Sequence, residues 1–308
     1  MKKLILISCI LLVAGKSIHA QQTDFPSRKL SGLTGPYFGQ KPPGMTSEPF
    51  TPEIFSQERE QHDLFFGPAG LEAVWTERNP ADNSFRFIYT RSMDGIWSDP
   101  IVIPFSTTCR NMELCMSPDG SKLFFSSDRP ASQEGEVQNM PDIWMSEKTP
   151  NGWGEPQHLP SGVNTSDIEA QPYAGFDGKL YFIRQSGKIR RIMFLMPGEG
   201  ASADSVSLGV DLFGKQFAGF CVSPDERIMI LHSRMEGGFG SWDLYASFRD
   251  SQGIWGDPVN PGQAFNTEEA EATVSFSPDG KYLFFERDRK IWWVDAKAIV
   301  QSTLSGKN

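Results

Sequence analysis

The sequence predicts an all-β fold, a β-propeller of four-stranded blades, on three observations. A turn motif recurs: Ser117-Pro118-Asp119-Gly120 returns as Ser223-Pro224-Asp225-Glu226 and as Ser277-Pro278-Asp279-Gly280. Apolar, β-rich runs flank each copy, as in Ala272-Thr273-Val274-Ser275-Phe276 before the turn and Tyr282-Leu283-Phe284-Phe285 after it. The 308 residues also include 29 glycines and 22 prolines, more turn formers than a helical bundle tolerates. Self-similarity at a fixed period is the signature of repeat architectures.

The first element is a leader. Lys2 and Lys3, an apolar run over residues 4–15 and Ala20 before Gln21 read as a secretory signal peptide over residues 1–20. Its apolar core is too short to span a bilayer comfortably, and no later run matches it. Leu6-Ile7-Ser8-Cys9 lies inside that core and is not a lipoprotein cleavage box. A soluble, monomeric product, periplasmic or secreted, with no transmembrane segment is expected. Residues 21–47 form an N-terminal extension, 48–296 the propeller, and 297–308 a short helix or tail.

Within the propeller, worn copies of the turn stand at Gly67-Pro68-Ala69-Gly70 and Gly175-Phe176-Asp177-Gly178. Measured at the third position, the steps are 50, 58, 48 and 54 residues, which suits propeller blades with variable loops. In the turn, Pro presets φ, Asp bonds to the backbone, and Gly accepts positive φ. A third strand follows at Asp142-Ile143-Trp144, Asp243-Leu244-Tyr245 and Lys290-Ile291-Trp292. A fourth, outermost strand is expected to begin at Trp97-Ser98-Asp99-Pro100, Trp153-Gly154-Glu155-Pro156 and Trp255-Gly256-Asp257-Pro258. Five blades are expected, with six as the alternative. The last unit lacks the Trp-x-x-Pro segment, so residues 52–56 are expected to supply its outer strand and close the ring. A terminal helix then starts near Asp295, its N-cap.

The Ser-Pro-Asp-Gly turn followed by Leu123-Phe124-Phe125, Asp142-Ile143-Trp144 and Trp153-Gly154-Glu155-Pro156 resembles the WD-like repeat of TolB-type propeller proteins of the bacterial envelope. Asn164-Thr165 and Asn266-Thr267 match a further feature of such repeats. The resemblance covers roughly residues 48–296 and implies an exported propeller. It departs in its five units, where TolB-type rings usually have six, and in leaving no room for an accompanying peptidoglycan-binding domain.

Two features stand outside the expected core. Glu169 and Glu271 begin their units' first strands, Glu113 sits two residues later in its unit, and His62 and Asp63 hold the corresponding stretch of the first. Such residues either ring the channel mouth and bind a ligand, or solvate it and cap strand ends. The second feature is an arginine past each second strand: Arg78, Arg129, Arg184, Arg234 and Arg287. These either tie blade seams or bind carboxylates, and recurrence in every unit favours the seam.

The formal net charge of −9 opposes nucleic-acid and anionic-membrane binding. Three cysteines outside the leader, Cys109, Cys115 and Cys221, give no disulfide framework. There is no Gly-x-Ser-x-Gly elbow and no phosphate loop, and His62, His158 and His232 lack zinc-ligand spacing. No catalytic residue, metal or cofactor is assigned. The expectation is a non-catalytic exported module that binds an envelope protein or a cell-wall glycan or peptide. The alternative is a carbohydrate-active enzyme, a glycosidase or lyase, using the acids and arginines at the channel mouth.

Overall fold

The computed structural model describes residues 30, 32–50, 55, 59–131, 140–196, 203–206 and 217–305; the expected signal peptide lies outside them. Five antiparallel sheets follow one another along the chain, each built from consecutive strands except that an N-terminal strand joins the last, and their inner strands touch in turn around a closed ring. The protein is a five-bladed propeller. Blade 1 comprises Glu60–Phe66, Glu72–Arg78 and Phe85–Met93, with outer pieces Ile96–Trp97 and Ile101–Val102. Blade 2 comprises Asn111–Met116, Lys122–Ser127 and Asp142–Thr149, with outer pieces Gly152–Trp153 and Gln157–His158. Blade 3 runs through Ile168–Ala174, Leu180–Ser186, Ile189–Leu195 and Asp204–Ser205. Blade 4 has Phe217–Val222, Ile228–Ser233 and Asp243–Phe248, edged by bridges from Ala246 to Val259 and from Arg249 to Trp255. Blade 5 has Glu271–Phe276, Tyr282–Arg287 and Lys290–Asp295.

The repeated turn is built as its residues dictate. Ser117 Oγ donates to Asp119 Oδ1 at 2.6 Å and accepts the Lys122 amide at 2.9 Å. Ser223 and Ser277 repeat both bonds. Gly120 and Gly280 sit at φ 70° and 69°. Close approach adds a second demand: a Cβ on Gly120 would lie 2.9 Å from Pro68, and one on Gly280 3.3 Å from Pro224. These two turns therefore nest against the proline of the preceding blade's turn.

Ring closure differs from the expected register. The fourth strand of blade 5 is Glu48–Pro49, with Glu48 opposite Trp293 and Pro49 opposite Trp292. Phe50 N continues the pairing by donating to Ile291 O at 2.9 Å. The expected closing stretch 52–56 starts too late: of it only Phe55 is described, buried against Trp75 in blade 1. The reason lies in the aromatic residues upstream. Tyr37, Phe38 and Phe50 are buried among Phe66, Phe284 and Trp293, filling the seam between the first and last blades. Trp97 Nε1 donates to Gly35 O at 2.8 Å, fixing the extension to blade 1 from outside.

The outer strands also differ. They start before the Trp-x-x-Pro proline and resume after it, because Pro100 and Pro156 have no amide to give and fall in the gap. The helix Lys297–Ser305 follows blade 5, with Asp295 Oδ1 accepting the Lys297 amide at 2.9 Å and Ile299 fully buried. Among the described residues no helix is long and apolar enough to cross a membrane.

Candidate functional site in the central channel

Each inner strand slips register once against its neighbour: between His62 and Phe65, Met112 and Cys115, Ala170 and Tyr173, Phe217 and Gly219, and Ala272 and Ser275. One position recurs inside these slips, six residues before the third turn position: Asp63, Glu113, Gln171, Gly219 and Thr273. Asp63, Glu113, Gln171 and Thr273 hold φ of 50°, 58°, 53° and 37°. Left-handed backbone is costly for these residues, most of all for β-branched Thr273. Bulges of this kind re-aim side chains, and such strain concentrates at functional sites.

The bulged residues join neighbouring blades. The Gln171 amide donates to Glu113 Oε2 at 2.8 Å, and Ser126 Oγ donates to the same oxygen. The Thr273 amide donates to His232 Nδ1 at 3.0 Å, and Thr273 Oγ1 lies 3.4 Å from Glu286 Oε2. That Glu286 oxygen accepts from His62 Nδ1 at 2.7 Å, and Asp63 Oδ2 accepts from Thr76 Oγ1 at 3.0 Å. Blades 1, 2 and 5 carry the acids of this network and blade 4 carries His232, whereas the bulge positions of blades 3 and 4 are Gln171 and Gly219.

Burial dominates the electrostatics. It pushes the Asp63 carboxyl up to about 7; the negative charges of Glu113 and Glu286 add to the rise, and His62 and Thr76 oppose it. Burial also disfavours the charged form of His62, yet the hydrogen bond and charge of Glu286 outweigh it and leave His62 raised. His232, wholly enclosed, is lowered to about 4 by burial and accepts at Nδ1 as a neutral ring. Burial pushes the Cys115 thiol up to about 12 and raises Cys221 as well. No group of three or more His, Cys, Asp or Glu with metal-holding geometry occurs among the described residues.

Of the candidates named from sequence, His62, Asp63 and Glu113 come together here. Glu169 and Glu271 do not join them as accessible channel-mouth acids. Both are fully buried. Glu169 accepts from Arg184 Nε at 2.7 Å and Thr165 Oγ1 at 2.7 Å; Glu271 repeats this with Arg287 and Thr267. Arg184 and Arg287 also donate to Val163 O and Phe265 O, each at 2.8 Å, in the segments leading into their blades. Arg129 reaches Asn111 Oδ1 at 2.8 Å and stacks on Trp144, and Arg78 pairs with Glu60. These four arginines are bound into the framework. Arg234 has no ion pair among the described residues and lies over the Trp242 ring.

Glu286, His232, Gln171 and Thr273 were not singled out from sequence. The constant offset of Gln171 and Thr273 from the turn was a usable signal. Glu286 and His232 come from second strands, and only pairing register brings them to the channel.

No family model matches the sequence, and no curated protein matches it. Solved propellers do. A gluconolactonase from Xanthomonas campestris aligns at 16% identity and TM-score 0.43, over 85% of this chain and 97% of that one. An oligogalacturonate lyase from Vibrio parahaemolyticus aligns at 12% and 0.42, over 78% and 67%. A prolyl endopeptidase aligns at 9% and 0.44 over 85% of this chain, which spans 43% of its length. At such identities the likeness extends to the fold alone. The neighbours named here are enzymes, in contrast to the non-catalytic module expected from the sequence.

Proposed function

We propose that the protein is a carbohydrate-active enzyme working by acid–base chemistry in the central channel. One observation carries the reading: Asp63, held at about 7, shares the channel with Glu113 on inner-strand bulges. Cleavage of a glycosidic bond needs one carboxyl that still holds its proton and a second that acts as base or nucleophile. A group that titrates near neutrality suits proton donation at working pH. Asp63 takes the acid role, donating to the leaving oxygen. Glu113, its Oε2 fixed by Ser126 and the Gln171 amide, takes the second. Thr76 Oγ1 donates to Asp63, and the neighbouring His62 is held by Glu286. The imidazoles are engaged by Glu286, Asp142 and the Thr273 amide rather than by a hydroxyl or thiol nucleophile.

Arg78, Arg129, Arg184 and Arg287 take no part in this chemistry, because their donors serve the framework. The Lys-Lys start, apolar run and Ala20 support export to the periplasm or beyond, and the repeat supports a place among TolB-type propellers.

The test is turnover of a panel of oligosaccharides and chromogenic glycosides. Asp63→Asn and Glu113→Gln are each expected to lower kcat by at least 100-fold, with the alkaline limb of the wild-type profile near pH 7. A wild-type protein inert on the whole panel, or variants as active as the wild type, would sink the reading.

A further inference from the structure

Blade 4 breaks the arginine pattern. In blades 1, 3 and 5 the arginine stands in register opposite an acid: Arg78 with Glu60, Arg184 with Glu169, Arg287 with Glu271. Blade 4 instead pairs Ser233 with Phe217, and Arg234 falls one residue further out. A buried phenylalanine stands where the acid would be, and among the described residues no carboxylate pairs with Arg234. Arg234 is exposed, its guanidinium 4.3 Å from the Trp242 ring centroid.

The loop that carries Trp242 is held in place. Asp243 Oδ1 accepts the Phe239 amide at 2.9 Å and the Gly240 amide at 3.3 Å. Gly240 lies so close to blade 5 that a Cβ there would be 2.0 Å from Glu269 O. Trp242 O accepts the Glu271 amide at 2.9 Å, and the indole meets the His232 ring edge-on at 5.7 Å. His232 in turn holds the bulge at Thr273, so the platform is continuous with the channel. Phe239, in the same loop, is 43% exposed.

We propose that Arg234, stacked on Trp242, is the subsite for the carboxylate of an acidic sugar residue in the substrate. This rests on the reading of the channel as glycan-active and deepens it to a uronate-containing glycan. A guanidinium with one face on an indole keeps its edge N–H groups free for the two oxygens of a carboxylate. The tryptophan beneath it and the exposed Phe239 of the same loop suit the C–H face of a sugar ring. The position also answers the charge problem. The anion is held at the rim of blade 4, which neighbours blades 3 and 5 rather than Asp63 and Glu113 of blades 1 and 2, so the neighbouring sugar can enter the channel.

Calorimetric titration with galacturonate, glucuronate and mannuronate trisaccharides and their neutral hexose counterparts tests this on the full chain. At least one uronate is expected to bind the wild type, more weakly as salt rises. Arg234→Gln should lose tenfold or more of that affinity while melting with the wild type. Asp63→Asn should keep the binding and lose turnover. Equal uronate affinity in Arg234→Gln, or no uronate binding by the wild type, overturns the subsite. So does a melting point several degrees below wild type, which would make Arg234 a framework residue. If Asp63-dependent turnover of neutral sugars persists and Arg234→Gln is indifferent, only this inference fails. Arg234-dependent uronate binding without turnover supports the subsite and refutes the catalytic reading instead.

Discussion

The Asp63 carboxyl carries its proton from the unfolded range near 3.8 up to about 7, and this couples the channel to pH. Below about pH 4 the group is protonated in both folded and unfolded chains, and its contribution to stability is complete. Between 4 and 7 the folded chain keeps a proton that the unfolded chain releases, so stability falls as pH rises. His62, also raised, loses its contribution in the same direction. His232, lowered from 6.5 to about 4, has the opposite sign and loses its contribution as pH falls through that window. Asp63→Asn should therefore stabilise the protein above pH 7, on the order of 1–2 kcal/mol, and change little below pH 4. Denaturant titrations at pH 4 and 8 would check this; a difference independent of pH would refute the assignment. Arg287→Ala should cost roughly 1–3 kcal/mol, because Glu271 and Phe265 O are left buried without their donor. Asp63 and Glu113 could be picked out as polar residues interrupting an apolar strand. Glu169 and Glu271 satisfied the same criterion yet serve the framework. Two residues along the strand separate these roles, a distinction set by side-chain direction at the bulge rather than by residue type.

At the scale of elements, the Ser-Pro-Asp-Gly hairpin was the most legible feature, because its serine, aspartate and glycine act within six residues. Gly120→Val combines left-handed strain with a clash against Pro68 and should cost about 2 kcal/mol or more. Gly280→Val, with looser contact to Pro224, should cost less, about 1–2 kcal/mol. Equal losses in thermal melts would show that strain alone governs the position, since the two φ angles match. The inner-strand bulges were hidden for a physical reason. An antiparallel slip leaves hydrophobic alternation on both sides nearly intact, and the extra residue shows only against its partner strand. The two-piece outer strands were masked similarly: Trp-Gly-x-Pro marks the gap, whereas the expectation placed the strand's start there.

For the whole molecule, the repeat count and closure by an N-terminal strand were legible, since a final unit without its fourth strand demands one from elsewhere. The register of closure was not, because it depends on Tyr37, Phe38 and Phe50 finding Phe284 and Trp293 across the full chain. Removing residues 21–50 should strip the last blade of its edge strand and uncover these rings. A cooperative melt lower by 10 °C or more, or aggregation, is expected. A truncated chain that melts with the full one would show that the clasp is dispensable. The clasp also imposes an order in time. Tyr37 reaches Asp279, 242 residues further along, so the earliest-made segment waits for the latest-made blade. Four blades can stack as the chain emerges, but the ring stays open until the last hairpin forms. Refolding should then show a slow final phase in Trp293 fluorescence, and Phe50→Ala should slow it. Until that step the channel has an open side, and the contact between Glu286 of the last blade and His62 of the first does not exist. The Glu286 charge near Asp63 is therefore the last to arrive, and a half-made molecule carries Asp63 and Glu113 without the full set of charges that surrounds them in the closed ring.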